Sequence, residues 1–173
     1  MNYEKLLVEK INAAYPDAIE QTQDFRGELT LFIRQDHLKK VCQFLRDDAK
    51  LAYNFLSDIV ADDMLPDDPR FAVNYHIYSL ENQHRLRLRV PVDNPDKGPE
   101  TIGDIWAIGT WLEMEVWDLM GIRSQGNGSL RRLFMPEDWQ GHPLRKDYPL
   151  GYEEVQFSFN REEIDAKKPY AQN

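Results

Sequence analysis

The stretch FAVNYHIYSLENQHRLRLRVPV, residues 71–92, decides the fold. It predicts two strands, residues 71–80 and 85–92, joined by a turn. In the second strand the apolar side chains occupy alternate positions, so they share one face of a sheet. We expect the arginines of the other face to meet water or an acidic partner, with phosphate binding as the alternative. These arginines are Arg85, Arg87 and Arg89.

Upstream of this hairpin, helical and strand patterns alternate. Apolar residues at helical spacing predict a helix over residues 3–15, which Pro16 ends. Residues 27–34 predict a strand, Asp36 is a candidate cap for a second helix, and residues 51–60 predict another strand. Elements in this order predict an α+β fold with helices packed on a mixed, largely antiparallel sheet.

Downstream of the hairpin, proline and glycine at residues 93–99 predict a loop. Isoleucines recur at helical spacing over residues 101–108, so we expect a short helix there. A further helix is predicted from about Thr110 to Gly121, because glycine readily adopts the left-handed conformation that closes a helix. The α+β domain is therefore expected to span residues 1–122.

Composition and charge restrict the class of protein. The chain has 173 residues, of which 42% are hydrophobic, as expected for one globular domain with a tail. A net charge of −9 argues against nucleic acid as a partner and against adhesion to an anionic membrane. No apolar run is long enough for a membrane helix, so we expect no direct membrane insertion. Acidic residues near the N-terminus argue against a secretory signal.

No metal or cofactor site is expected. The single cysteine, Cys42, falls on the apolar stripe of the second predicted helix and is expected to be a small buried side chain. One thiol cannot hold an iron–sulfur cluster, which typically needs about four cysteines. The four histidines lack metal-ligand spacing. The aspartate-rich run 62–69 does not match a calcium loop and predicts a solvated acidic loop.

Two carboxylates of the last predicted helix are candidates for chemistry. Glu115 and Asp118 lie three residues apart and share a face, whereas Glu113 points elsewhere. A pair of this kind can act as general acid and base when burial separates the two pKa values. Several arginines follow closely in the sequence, and we expect structural ion pairing with them. A free-standing acid–base enzyme is the competing class.

The most irregular stretch is GHPLRKDYP, residues 141–149, preceded by MPEDW at residues 135–139. Its prolines and glycine fit neither helix nor strand, and its Arg, His, Trp and Tyr suit an ordered loop that anchors on another surface. An ordinary surface loop is the alternative. Together with WLEMEVWDLMGI at residues 111–122 and LRRL at residues 130–133, this stretch resembles the signature of the NuoC family. That family is the small hydrophilic subunit of the peripheral arm of respiratory complex I.

The resemblance implies a non-catalytic structural and assembly subunit of a proton-pumping NADH:quinone oxidoreductase. It implies attachment to the cytoplasmic side of a bacterial membrane through the complex, beside the large quinone-site subunit and the iron–sulfur subunits. Iron–sulfur clusters, flavin and quinone would be held by those partners, and this chain would bind no cofactor. Residues 123–150, the signature segment, would pack on the domain and on a partner, and residues 151–173 would be an extended tail wrapped on a partner. The predicted partner contacts are Glu113, Glu115, Trp117, Asp118, Arg131, Arg132, Trp139, His142, Pro143, Leu144, Arg145, Lys146, Asp147 and Tyr148.

Two positions depart from the family's usual pattern. Met114 stands where the family usually has the arginine of Glu-Arg-Glu, and Asn127 stands where it usually has the histidine of Gly-His-Pro. These departures leave open an equivalent subunit of a variant complex with another electron donor, or of a membrane-bound hydrogenase. A solitary adaptor that binds one partner through its tail is a third possibility.

Overall fold

The chain begins with helix α1 (Tyr3–Ala14) and continues through strands β1 (Ile19–Phe25) and β2 (Glu28–Ile33) to helix α2 (Leu38–Asp47). Strands β3 (Phe55–Asp63), β4 (Phe71–Ser79) and β5 (His84–Val92) follow, and helix α3 (Gly109–Met120) comes last. This computed structural model describes residues 3–149. The predicted tail, residues 151–173, lies outside the described residues.

The strands form one five-stranded sheet in the order β1-β2-β5-β4-β3. Neighbouring strands pair antiparallel except β2 and β5, which are parallel, with Thr30 opposite Arg87. The predicted hairpin is β4–β5, whose register runs from Phe71 opposite Val92 to Ser79 opposite His84. The prediction of an α+β fold with a mixed, largely antiparallel sheet is therefore confirmed.

A single apolar core joins the helices to one face of the sheet. Leu7 of α1, Leu45 of α2 and Val116 of α3 all belong to one buried cluster with the inward residues of the strands. Cys42 is fully buried in this cluster, as predicted, and burial raises the pKa of its thiol. The helices therefore cover one face of the sheet and leave the arginine face outside.

The outer face carries the arginines of β5, as predicted. Arg87 pairs with Glu28 of β2 at 3.3 Å, and Arg89 pairs with Asp62 of β3. Because partly exposed pairs of this kind add little stability, their main effect is to place opposite charges side by side across the strands. The acidic partners of these two arginines are thus supplied by the chain itself.

Two strand boundaries differ from the prediction. Strand β1 was not predicted, because its polar sequence lacks an apolar alternation; it is an exposed edge strand that pairs with β2 at the margin of the sheet. Strand β3 begins only at Phe55, and a register shift between Leu56 and Asp58 breaks its alternation. The predicted strand over residues 51–60 is therefore displaced towards the aspartates that follow it.

Two helix predictions are wrong in detail. Asp36 does not cap α2; it lies in a 3-10 turn, Gln35–His37, and pairs with Arg34 and His37 at 3.0 and 2.9 Å. Residues 101–108 form turns instead of a helix, closed by bonds such as Ile105 N–H to Ile102 O at 2.9 Å. These turns still bury both isoleucines, so the apolar spacing reported burial and not helix.

The aspartate-rich run is also not a uniformly solvated loop. Asp62 and Asp63 belong to β3, and only 3% of the Asp63 side chain is exposed. The loop between β3 and β4 is therefore limited to residues 64–70 and contains two cis prolines, Pro66 and Pro69.

Within residues 3–149, no helix combines the length and the apolar character needed to cross a membrane.

Candidate functional site

The C-terminal end of α3 organises the signature segment. Helix α3 closes at Gly121, as predicted, with a left-handed φ of 74° and its N–H bonded to Trp117 O at 2.8 Å. A Cβ atom at residue 121 would lie 2.4 Å from Arg145 Nη2 and 2.5 Å from His142 Cδ2. Only glycine leaves room for the segment to lie directly on the end of the helix.

Carbonyl groups at this helix end are bound by the signature segment. The last four carbonyls of any helix lack partners within the helix. Leu119 O accepts the backbone N–H of Leu144 at 3.0 Å, and Met120 O accepts Arg145 Nε at 2.7 Å. The carbonyl of Asp118 accepts both the following donors: Arg132 Nη1 and His142 Nδ1, each at 2.9 Å. The segment therefore acts as the C-terminal cap of α3.

The Asp118 carboxylate holds the first half of the segment. Its Oδ2 atom accepts three consecutive backbone N–H groups, from Leu133 at 2.8 Å, Phe134 at 2.7 Å and Met135 at 3.1 Å. Its Oδ1 atom accepts Arg132 Nη1 at 2.9 Å. Burial favours a higher pKa for Asp118, but these four hydrogen bonds outweigh it and hold the pKa below its ordinary value. The buried group is therefore a carboxylate with its acceptor sites occupied.

Arg132 connects this carboxylate to the second half of the segment. Its Nη2 atom donates to Trp139 O at 2.8 Å and to Gly141 O at 2.9 Å. Its guanidinium lies 5.4 Å from the centre of the Trp117 ring. The predicted pairing of a helix carboxylate with an arginine is thus confirmed for Asp118 and Arg132.

His142 packs against the same helix. Its ring meets Trp117 edge-on, with centroids 6.1 Å apart and planes at 69°. Burial lowers the pKa of His142, which favours the neutral imidazole that donates from Nδ1 to Asp118 O. The histidine is therefore a structural donor in this loop.

Glu113 faces the opposite side of α3 and is also buried. Its Oε1 atom accepts the N–H of Ile102 at 2.8 Å, and its Oε2 atom accepts the Thr101 hydroxyl at 2.6 Å and Asn127 Nδ2 at 2.9 Å. Burial is the largest influence on this carboxyl and raises its pKa. Glu113 therefore ties the turns before α3 to the start of the signature segment.

The two departures from the family pattern lie in this neighbourhood. Asn127 supplies a donor to Glu113 and a second one to Thr110 O at 3.2 Å. Met114 is buried, so an apolar side chain occupies that position. Asparagine at position 127 thus retains a donor on the buried carboxylate, and methionine at position 114 suits its dry surroundings.

The remaining predicted contact residues differ in exposure. Arg131 is exposed, with its guanidinium 5.9 Å from the centre of the Trp111 ring. Leu144, Lys146 and Asp147 are also exposed. The partly buried residues are Glu115, Trp117, Trp139, Pro143 and Tyr148. The chain itself therefore engages Glu113, Asp118, Arg132, His142 and Arg145, and it leaves others at the surface.

Two apolar side chains stand out from the ordered segment. Phe134 is 62% exposed and Leu144 is 59% exposed, although the backbone N–H of each is bonded to α3. Beside them, a groove of about 600 Å³ is lined by Trp139, His142, Arg145 and Tyr148, among others. The indole N–H of Trp139 is buried without a hydrogen-bond partner among residues 3–149. This surface has the rigid aromatic and aliphatic anchors typical of protein interfaces.

Sequence reasoning missed three residues of this site. Phe134 carried no signal beyond its place after the LRRL run. Asp63 and Arg70 contact the signature segment from the β3–β4 loop, at separations of 83 and 77 residues. No local pattern could have linked residues so far apart.

The acid–base alternative lacks a suitable pair. Asp118 is fully buried, its acceptors are occupied and its pKa is held low, whereas a general acid requires a raised pKa. The expected separation of Glu115 and Asp118 into acid and base is therefore wrong. Among residues 3–149 there is also no group of three or more His, Cys, Asp or Glu side chains placed to hold a metal ion.

The fold and this site define a class: α+β domains that carry an ordered, proline-rich segment on the end of their last helix. Residues 31–154, well over half of the chain, match the family described as the respiratory-chain NADH dehydrogenase 30 kDa subunit. The chain belongs to this family, which is the NuoC family that its motifs resemble.

Relatives of similar length carry one name. A protein of Roseiflexus sp. (strain RS-1), the NuoC subunit of NADH-quinone oxidoreductase, is 44% identical over 165 residues, which cover 95% of each chain. The protein of that name from Geobacter sulfurreducens is 41% identical over 142 residues, which cover 82% of this chain and 86% of the relative. The similarity therefore extends over most of each protein.

Solved structures show the same fold. A trypsin-resistant fragment of Nqo5 aligns with a TM-score of 0.58 and 31% identity, covering 73% of this chain and 98% of the fragment. A chain of the membrane-bound sulfane sulfur reductase, an archaeal respiratory membrane complex, aligns with a TM-score of 0.71 and 20% identity over 85% of this chain. At that lower identity, the likeness concerns the fold alone.

Proposed function

We propose that this chain is the NuoC subunit of a proton-pumping NADH:quinone oxidoreductase, complex I, and acts there as a structural and assembly subunit of the peripheral arm. Its main partner would be the large quinone-site subunit, with iron–sulfur subunits nearby. Family membership and relatives of nearly equal length support this proposal. The chain itself would hold its neighbours in register and contribute no active site.

One observation carries the docking role. The signature segment is folded onto α3 by the chain's own hydrogen bonds, and it still presents Phe134 and Leu144 to solvent. Exposing apolar side chains costs free energy, and a rigid loop cannot withdraw them. A partner that covers them gains the burial and loses little conformational entropy, because the loop is already ordered. We therefore assign Phe134 and Leu144 as anchors for the partner.

The remaining features of the proposal follow from the same family. Iron–sulfur clusters, flavin and quinone would be bound by partner subunits, in keeping with a single buried thiol in this chain. The chain would lie on the cytoplasmic side of a bacterial membrane, attached through the complex. Residues 151–173, outside the described residues, would continue from the signature segment along the partner.

Purification of the tagged chain from its native membranes in mild detergent tests the proposal. Mass spectrometry and an iron assay of the copurified proteins are expected to find a large quinone-site subunit and iron–sulfur subunits. Recovery of the chain alone, without iron, would overturn the proposal.

Two matched pairs of variants test the docking surface in the same experiment. Leu144→Asp is expected to reduce copurification strongly, whereas Leu80→Asp, equally exposed at 59% on the β4–β5 turn, should leave it unchanged. Likewise Phe134→Ser should weaken assembly, whereas Phe25→Ser, 61% exposed on β1, should not. Equal losses within both pairs would indicate that general surface polarity and not this segment determines assembly.

A second candidate is the equivalent subunit of a variant complex or of a membrane-bound hydrogenase. It is favoured by the same fold in an archaeal respiratory membrane complex and by the departures at Met114 and Asn127. The purification distinguishes the two. A flavin-bearing, NADH-oxidising subunit among the copurified proteins supports complex I, and a different electron-input or hydrogenase subunit in its place supports the variant.

A further inference from the structure

The β3–β4 loop and the signature segment meet at Asp63. The Asp63 carboxylate accepts Arg70 Nε at 2.9 Å and Arg70 Nη2 at 2.7 Å. It also accepts the backbone N–H of Leu65 at 3.1 Å and of Lys146 at 2.8 Å. Hydrogen bonds from Arg70 are the largest cause that holds the pKa of this carboxyl well below its ordinary value. The group is thus a buried anion shared by two segments of the chain.

Arg70 extends this contact to a second carboxylate of the signature segment. Its Nη1 and Nη2 atoms donate to the two oxygens of Asp147 at 2.8 and 2.7 Å. Such bidentate pairing exploits the planar shape of the guanidinium, which a lysine cannot reproduce. Lys146 adds a bond from its Nζ atom to Leu65 O at 3.0 Å. One arginine therefore bridges Asp63, at the end of β3, and Asp147, near the end of the described chain.

Phe71, the first residue of β4, completes the contact. Arg70 lies 4.7 Å and Arg145 lies 5.2 Å from the centre of its ring. Arg145 also bonds Met120 O, so the phenyl ring of β4 and the end of α3 hold the same side chain. Residues 144–148 are thus fixed from two directions, by the helix end and by the β3–β4 loop.

We infer that Arg70 and Asp63 are positioning residues for assembly, which hold residues 144–148 in the conformation that the partner subunit binds. The inference rests on the proposed function and deepens it. Neither residue needs to touch the partner, because their effect passes through Asp147 and Lys146. Without this latch the segment would keep its attachment to α3 but would lose its second support, and binding would then have to order it.

Asp147→Asn in the full-length chain is the decisive variant. It removes the charge on the segment's side of the latch, and the Arg70–Asp63 pair inside the domain remains. Because Asp147 is 53% exposed, we expect the melting temperature to stay close to that of the wild type. Hydrogen exchange at the amides of Leu144, Lys146 and Tyr148 is expected to accelerate about three- to tenfold, while the amides of α3 keep their protection. Asp147→Glu should restore most of the protection.

A control variant and the assembly assay separate positioning from general stability. Asp138→Asn neutralises an exposed aspartate of the same segment outside the latch and should change neither exchange nor assembly. Asp147→Asn should reduce copurification of the partner subunits several-fold, and Asp147→Glu should recover it. Unchanged exchange in Asp147→Asn, or faster exchange with undiminished assembly, would overturn the inference while leaving the proposed function intact. A wild-type chain that brings down no other subunit would overturn both.

Discussion

The Oδ1 atom of Asp118 accepts a hydrogen bond of 2.9 Å from Nη1 of Arg132, and this contact joins the last helix to the segment that covers its end. Asp118 has no exposed surface, and its other oxygen is committed to three backbone N–H groups. Removal of its charge therefore affects four donors at once.

Asp118→Asn is expected to destabilise the chain by about 2–4 kcal/mol, because an amide presents its own N–H₂ group to donors that need an acceptor. Urea denaturation followed by tryptophan fluorescence measures the loss. Glu115→Gln, partly buried on the same helix, is the control and should change stability by no more than about 0.5 kcal/mol. Equal effects of the two variants would contradict the role of Asp118.

The pH dependence of the Asp118 contribution has a definite sign. Its folded pKa lies below the unfolded value near 3.9. The contribution is therefore complete above that pH and is lost as the pH falls through the folded pKa. Wild type and Asp118→Asn should accordingly converge in stability under acid conditions, as measured by urea titrations at decreasing pH. A constant difference down to strongly acidic pH would contradict this prediction.

Gly121→Ala should destabilise the chain by roughly 2–4 kcal/mol, because it adds left-handed backbone strain to a clash with Arg145 and His142. Gly128→Ala is the matched control, since a Cβ atom there has no neighbour within 4 Å and its φ is not in the left-handed region. Thermal denaturation of both variants measures the difference. A Gly121→Ala variant as stable as Gly128→Ala would show that the segment does not lie on this glycine in solution.

Glu113→Gln should change how stability depends on pH. Burial raises the folded pKa of Glu113 above the unfolded value near 4.3, so within this window the folded state binds more protons than the unfolded state. Wild-type stability therefore falls as the pH rises through the window, and the variant lacks this fall. Denaturant titrations between mildly acidic and neutral pH should show the stability difference moving in favour of Glu113→Gln. A pH-independent difference would exclude the raised pKa.

Cys42 should be inert in the native chain. Burial raises the pKa of its thiol and removes it from solvent, so a thiol reagent can react only when the core opens. Labelling at mildly alkaline pH should be slow in buffer and immediate in guanidinium chloride. Cys42→Ser is the blank for the labelling reaction. Fast labelling of the native chain would contradict the position of α2 in the core.

Local patterns predicted the elements whose side chains follow a simple period. Helix α3 and its glycine cap, the β4–β5 hairpin and the buried stripe of α2 were all evident, because each follows from residues close in sequence. Strand β1 was not, since an exposed edge strand needs no apolar face. The displaced start of β3 has a comparable origin, because a bulge interrupts the period on which the prediction relied.

The site divides along the same line. Pairing of Asp118 with a nearby arginine was predictable, because the two residues are only 14 positions apart. The contact of Asp63 and Arg70 with the signature segment was not, because it depends on how the sheet brings distant loops together. Nor could composition separate Glu113, which is buried on one side of α3, from residues that remain at the surface. Local spacing orients a side chain on its own element, whereas tertiary packing decides what it meets.

The parallel pairing of β2 with β5 has a consequence for the birth of the molecule. Thr30 and Arg87 are neighbours across these strands although 57 positions separate them. On the ribosome, α1, β1 and β2 emerge well before β5 exists, so the early hairpin has no sheet to join. Strands β3, β4 and β5 can pair successively as they emerge, because each contacts the next one along the chain. The first part of the chain to be synthesised is therefore among the last to find its place.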